Sequence, residues 1–254
     1  MIKSLELRRR ARAAGLHLLI SALVAALAAV LVFGFWYPGP FRQLAGGREL
    51  FFLVTSVDVV LGPLLTFAVF NVGKGWKHLR RDLAVIGLLQ TAALVYGLHT
   101  VYQVRPVAMV FEVDRLRMVI AADVHEPELP KARPEYRELP LTGPWLLGTR
   151  RPQAGAEHNE ALFTALKGID VGQRPLFWQP YEESRAEALA RSKPLSGLLE
   201  HYAKRAPELR ASLIEMKADE SSARYLPVMA RGDWSAVLDK TGNVLGYLPV
   251  DGFI

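Results

Sequence analysis

The stretch Leu50–Val72, LFFLVTSVDVVLGPLLTFAVFNV, decides the fold. Its 23 residues carry one charge, and about 20 apolar residues suffice for a helix to cross a bilayer. That charge is Asp58. A carboxylate at mid-bilayer costs about 2.5–3.5 kcal/mol on insertion scales, so the residue marks a bundle with a specific interior. Pro63 lies five residues on, after Gly62. Proline has no N–H, so the carbonyl of Val59 loses its helix partner and the helix is expected to kink beside Asp58. Ser56 and Thr66 can feed local hydrogen bonds. Such a polar, irregular patch is tolerated in hydrocarbon only where it faces protein or water.

Two more runs have spanning length, Leu16–Tyr37 and Leu83–Val104. The first resembles a signal peptide, with a basic start and Ala26-Leu27-Ala28 as a small-x-small site. Its apolar run is too long for that reading and ends in Phe33, Phe35, Trp36 and Tyr37, an aromatic belt, so it is read as retained. After Arg105 charges are spread evenly. The expectation is a membrane domain over 1–104, with transmembrane helices at about 16–37, 50–72 and 83–104. A soluble domain follows over 105–254, long enough for its own core.

The chain has a formal net charge of +6. Residues 1–104 hold 11 Lys/Arg against 4 Asp/Glu, whereas 105–254 hold 20 against 21. The basicity therefore belongs to membrane topology and argues against a nucleic-acid partner. Arg8, Arg9, Arg10 and Arg12 precede the first span; Lys74, Lys77, Arg80 and Arg81 fill the loop between the second and third. Positive flanks stay in the cytoplasm, so the N-terminus is inside and the C-terminal domain outside, the periplasm of a two-membrane bacterium. The absence of cysteine excludes disulfides, thiolate zinc sites and thiol nucleophiles.

Span two then runs outside to inside, with Asp58 about eight residues, ~12 Å, below its outer end. The matching depth on span three is near Tyr96. Tyr96 or His99 is the expected partner of Asp58, with the deeper Gln90 as second choice. The bundle lock, a contact with another membrane protein and proton transfer are the three roles open to this cluster.

Beyond Pro106, Val107–Val113 and Leu116–Ala122 read as a hairpin or one long bent strand. Residues 126–152 read as an extended loop. Helices are expected at Glu157–Leu166, Glu182–Arg191, Leu195–Ala203 and Glu208–Lys217, and strands at Tyr225–Ala230, Trp234–Leu238 and Val244–Leu248, the last two joined by a turn at Thr241-Gly242-Asn243. This order predicts an α+β domain with a mainly antiparallel sheet. No nucleophile elbow, P-loop, dinucleotide fingerprint or metal-binding histidine spacing occurs, so no catalytic residue, metal or cofactor is expected. Phe177, Trp178 and Tyr181, bracketed by prolines, are either core or an exposed partner-binding edge; Trp145 and Trp234 read as core.

Several short segments carry a family resemblance: Trp36-Tyr37-Pro38, the run Asp58-Val59-Val60-Leu61-Gly62-Pro63-Leu64-Leu65-Thr66, Asp82-Leu83, Leu89-Gln90, Tyr96-Gly97, Arg105-Pro106-Val107, Phe111-Glu112-Val113-Asp114-Arg115, Ala121-Ala122-Asp123, and the closing Leu248-Pro249-Val250. In this order and spacing the chain resembles the type IV pilin accessory proteins of the TfpX/TfpZ kind, which include FimB. The resemblance implies an inner-membrane helper in pilin production or pilus assembly, chaperone-like and without catalysis. Type IV pilin or its assembly machinery is the implied partner, alongside membrane lipid. A membrane sensor acting through a cytoplasmic partner and a pilin-modifying enzyme are the alternatives.

Overall fold

A computed structural model describes residues 2–71, 73 and 75–254, with side chains from residue 5 onward. The chain divides into two compact units, each described by itself: Met1–Gly39 with Gly46–Val104, and Pro40–Ala45 with Arg105–Ile254.

The first unit is built of long apolar helices. Helix α1 (Ile2–Leu31) begins well before the apolar run, because the Arg, Ala, Leu and Glu residues of its basic start are strong helix formers. It passes into a π-helical turn at Val32–Trp36. The short helix α2 (Phe41–Leu44) belongs to the second unit. Span two consists of α3 (Gly47–Ser56), a π-helical turn (Val57–Leu61) and α4 (Gly62–Val69). The expected disturbance at Pro63 takes this form: a widened turn relieves the clash between the proline ring and the preceding carbonyls. Helix α5 (Trp76–Gln103) is the third. Among the described residues, three helices are long and apolar enough to cross a membrane: Leu5–Trp36, Gly47–Val69 and Trp76–Gln103.

Helix α1 packs along α4, and α5 packs along α3 and α4. Glycine sets the closest approach: a Cβ on Gly97 would collide with the side chain of Val54. Tyr37 is fully buried, rests on Gly47 and donates from its hydroxyl to the Val101 carbonyl at 2.9 Å. Gly97→Leu is expected to separate α5 from span two, since small residues are what let helices approach this closely without a water-driven force. The expected result is loss of a Val54–Val101 engineered-cysteine crosslink and a fall in melting temperature in detergent, with Gly97→Ala intermediate.

The second unit is a mixed sheet packed on both faces, with strand order β4-β3-β1-β2-β6-β7-β8. Strands β1 (Pro106–Glu112) and β2 (Arg115–Ile120) form a hairpin, β3 is Trp145–Thr149 and β4 Trp178–Pro180. Helices α6 (Ala156–Leu166), α7 (Tyr181–Arg191), α8 (Leu195–His201) and α9 (Ala206–Glu215) lie close to their expected positions. Strand β5 (Lys193–Pro194) pairs with β6 (Arg224–Ala230), which leads into β7 (Gly232–Leu238) and β8 (Val244–Leu248).

The sheet is mixed rather than mainly antiparallel. Strand β1 runs parallel to β3 and β2 runs parallel to β6. Each of these pairs joins strands distant in sequence, so no turn signal announces it. The 126–152 segment is also not a plain loop. It contains β3, and it buries Ala132 and Tyr136 under the sheet. Strand β1 is buried along its whole length, as expected of a strand covered on both faces. Met109 and Phe111 point to a core shared with Leu226, Val228, Trp234 and Ala236. Ala108 and Val110 point to the other face with Val119, Leu147 and Trp178. A third cluster packs α8 and α9 on Tyr225 and Val237.

The segment Pro40–Ala45, expected to be an outside loop of the helical domain, completes the first of these cores. Leu44 is fully buried in it, Phe41 meets Tyr247 edge-on at 5.8 Å, and the Arg231 amide donates to the Leu44 carbonyl at 2.9 Å.

Candidate functional site

Asp58 stands at the midpoint of Gly47–Val69, eleven residues from either end, about 16 Å at 1.5 Å per residue. The expected position nearer one end is corrected, because the helix starts at Gly47 and stops at Val69. A groove of about 180 Å³ opens beside it, lined from α1 by His17, Ile20, Ser21, Val24 and Ala25, from span two by Thr55 and Asp58, and from α5 by Gly87, Gln90, Thr91 and Leu94.

The π turn explains how Asp58 enters this groove. Gln90 reaches across from α5 and donates its Nε2 to the backbone carbonyl of Asp58 at 3.2 Å. Gly62 makes room, since a Cβ there would overlap the Gln90 amide. His17 Nδ1 and Thr66 Oγ1 share a hydrogen bond at 2.5 Å, tying α1 to α4. Thr55 and Thr91 donate their hydroxyls within their own helices, to Phe51 and Gly87 carbonyls, each at 2.8 Å. Asp58 Oδ1 is left buried and without a hydrogen-bond partner among the described residues.

Thus the structure brings Asp58, Gly62, Thr66 and Gln90 into one polar patch, with Pro63 at the start of α4. It does not bring Tyr96 or His99 to Asp58. Tyr96 is 74% exposed, and His99 Nε2 lies 3.4 Å from Gln103 Nε2 on the outer face of α5. The depth comparison placed them too far along the helix and ignored azimuth. Gly97 faces span two at Val54, so Tyr96, one residue away, is turned off by about 100°. His17, Ser21 and Thr91 escaped sequence reading. His17 carried the same signal as Asp58, an ionisable residue alone in an apolar run.

Of the basic residues expected to set orientation, Arg8, Arg9, Arg12, Lys77, Arg80 and Arg81 are exposed, Arg10 pairs with Glu6 at 3.0 Å, and Lys74 lies outside the described residues. Phe177, Trp178 and Tyr181 form no exposed edge. All three are buried at 3% exposure or less. Trp178 donates its indole N–H to Gly172 and Tyr181 its hydroxyl to Gly242, each at 2.7 Å. Burial pushes the Tyr181 phenol up to about 12. Trp145 packs partly buried against Tyr136 and Trp178.

The second unit holds two buried ionic networks. Arg174, 1% exposed, donates through Nε to Glu128 at 2.8 Å and lies over the Phe177 ring at 4.7 Å. Glu112, also buried, accepts from Arg117 Nε at 2.6 Å and from the Gly172 amide at 2.8 Å, while Arg117 also reaches Asp170. At the start of α6, Glu157 takes both guanidinium nitrogens of Arg150, at 2.7 and 3.0 Å, and the Gln153 amide. The Arg150 bonds, then the amide, hold its carboxyl down at about 2. A depressed folded pKa contributes stability that is present above the unfolded value and lost as pH falls through the folded one. Between about pH 5 and pH 2 the native protein should therefore lose stability that Glu157→Gln lacks throughout, and melts across that range should be flatter for the variant.

Three long apolar helices with a polar groove at mid-length, joined to a unit with its own core, define a helical-bundle protein with an appended α+β domain. A family model for FimB, fimbrial assembly protein, matches residues 5–46. Two relatives from Dichelobacter nodosus match almost end to end: the fimbrial assembly protein of serogroup I is 36% identical over 96% of both chains, and that of serogroup E1 is 35% identical over the same shares. The fimbrial assembly protein of serogroups C1 and C2 from the same organism is 43% identical over 48% of this chain and 93% of its own. The chain belongs to this FimB family of fimbrial assembly proteins. No solved structure matches it.

Proposed function

We propose that the protein is an inner-membrane accessory factor in type IV pilus assembly, and that it acts by binding the pilin subunit before assembly rather than by turnover. The end-to-end similarity to fimbrial assembly proteins carries this reading. The three apolar helices support a multi-pass anchor, and the clustering of Lys and Arg before span one and between spans two and three supports a cytoplasmic N-terminus and a periplasmic second unit. A pilin waiting for assembly offers a membrane helix and a periplasmic head, and a bundle with an appended domain can meet both.

Deleting the gene should lower surface pili on intact cells while total pilin is still made, and the complemented strain should recover them. Normal piliation in the deletion strain would sink the reading. Orientation is tested separately: a cysteine at Ser221 should react with a thiol reagent confined to the periplasm, and one at Arg80 should not.

A further inference from the structure

We infer that the groove between α1 and α5 receives one membrane-embedded helix of another protein, and that this helix sets a single hydrogen-bond-donating side chain against Asp58. The inference rests on the reading above, in which that protein is the unassembled pilin subunit.

The groove has an acceptor to spare. Asp58 Oδ1 is buried and unpartnered among the described residues. The donors beside it are engaged: Gln90 by the Asp58 carbonyl, Thr55 and Thr91 by carbonyls of their own helices, His17 with Thr66. Such an acceptor at mid-span gains most from a partner that brings a donor, because hydrocarbon offers none. Charge points the same way: a hydroxyl, amide or ammonium group complements a carboxylate, whereas a second acceptor repels it.

Shape agrees. About 180 Å³ is room for one side chain and not for a helix backbone. The rim supplies the rest of the seat. Ile20 and Val24 are exposed along α1, and Gly87 and Thr91 along α5, so a fourth helix can lie over a rim of modest side chains with its donor turned inward.

The test is photocrosslinking from the full-length protein in intact cells. A photoreactive residue is placed on the rim at Val24 or Thr91, or on the far faces of the same helices at Leu19 or Leu89. Crosslinks to pilin should be about tenfold stronger from the rim, should fall to the far-face level in Asp58→Leu, and should persist in Asp58→Asn, which keeps an acceptor. Should Asp58→Leu fail to accumulate, Ala25→Leu fills the groove and leaves the carboxylate in place, and it too should abolish the rim crosslinks. Equal crosslinking from both faces, rim crosslinks only to a second copy of this chain, no rim crosslinks in a piliated strain, or full crosslinking in Ala25→Leu would overturn the inference. Piliation of the deletion strain is scored in parallel. If pili require the protein but crosslinks do not map to the rim, the groove assignment fails and the assembly role stands.

Discussion

Leu44→Ala should destabilise the second unit by about 2–5 kcal/mol, the range for emptying a well-packed leucine site. Its position makes the result informative, because the residue lies 61 positions upstream of Arg105, where the remainder of that unit begins. The side chain is fully buried among Phe111, Leu226, Trp234 and Ala236, and its carbonyl accepts the Arg231 amide. Leu44→Asp should cost more, since the site offers its carboxylate no cation in the core cluster. Denaturation of the full-length protein in detergent, followed by tryptophan fluorescence, reads the change through Trp234, which shares the cluster. The same reasoning predicts that a fragment covering 105–254 melts lower than the full chain and that the gap closes when residues 40–45 are fused back through a flexible linker. A fragment as stable as the whole would show that the contact contributes little.

The second large effect belongs to Arg174 and Glu128. Removing one partner of a buried ion pair strands the other charge in low dielectric and typically costs 3–5 kcal/mol. Arg174 is 1% exposed and Glu128 5%, so Glu128→Gln and Arg174→Met should each destabilise by about that amount. Replacing both with apolar residues of similar volume should recover much of it, because the desolvation of the pair then disappears as well. A double-mutant cycle by urea denaturation measures this. The sign of the coupling is the decisive readout: additive losses would mean that the two side chains act independently. Glu128 Oε2 and Arg174 Nη1 are buried without partners among the described residues, so the native pair itself is imperfectly compensated and the double replacement starts from an advantage.

Much of the second unit could be read from local chemistry. Helices α6 to α9 have apolar spacing, and Pro194 and Pro207 stand near the starts of the last two, where a missing N–H is harmless. The β7–β8 turn was announced by Gly242, whose φ of 87° suits glycine, and Asp239 accepts the amides of Thr241 and Asn243 there. What escaped was long-range. Strand β3 is five residues set among Pro and Gly, and only its parallel pairing with β1 makes it a strand. The 40–45 segment has the composition of a turn; the cavity it fills is made by residues far downstream. In the bundle, the cost of Asp58 located the site, but azimuth chose its neighbours. The close approach at Gly97 fixes that azimuth, and nothing in the spacing of Tyr96 and His99 reveals it. The aromatic trio at 177–181 misled for the opposite reason. Prolines around it suggested an exposed edge, whereas they end short elements that deliver the rings inward.

The widened turn at Val57–Leu61 has a consequence for how this segment tolerates insertions and deletions. A π turn holds one residue more than an α turn, so it acts as a phase shifter between the two halves of span two. Upstream, Val54 is set against Gly97; downstream, Gly62 is set under Gln90 and Thr66 against His17. Deleting one residue within the turn would let the helix run as plain α and rotate the downstream half by about 100° against its neighbours. Length is therefore under tighter constraint here than residue type: a valine can be exchanged for an isoleucine, but the reading frame of contacts cannot slip by one.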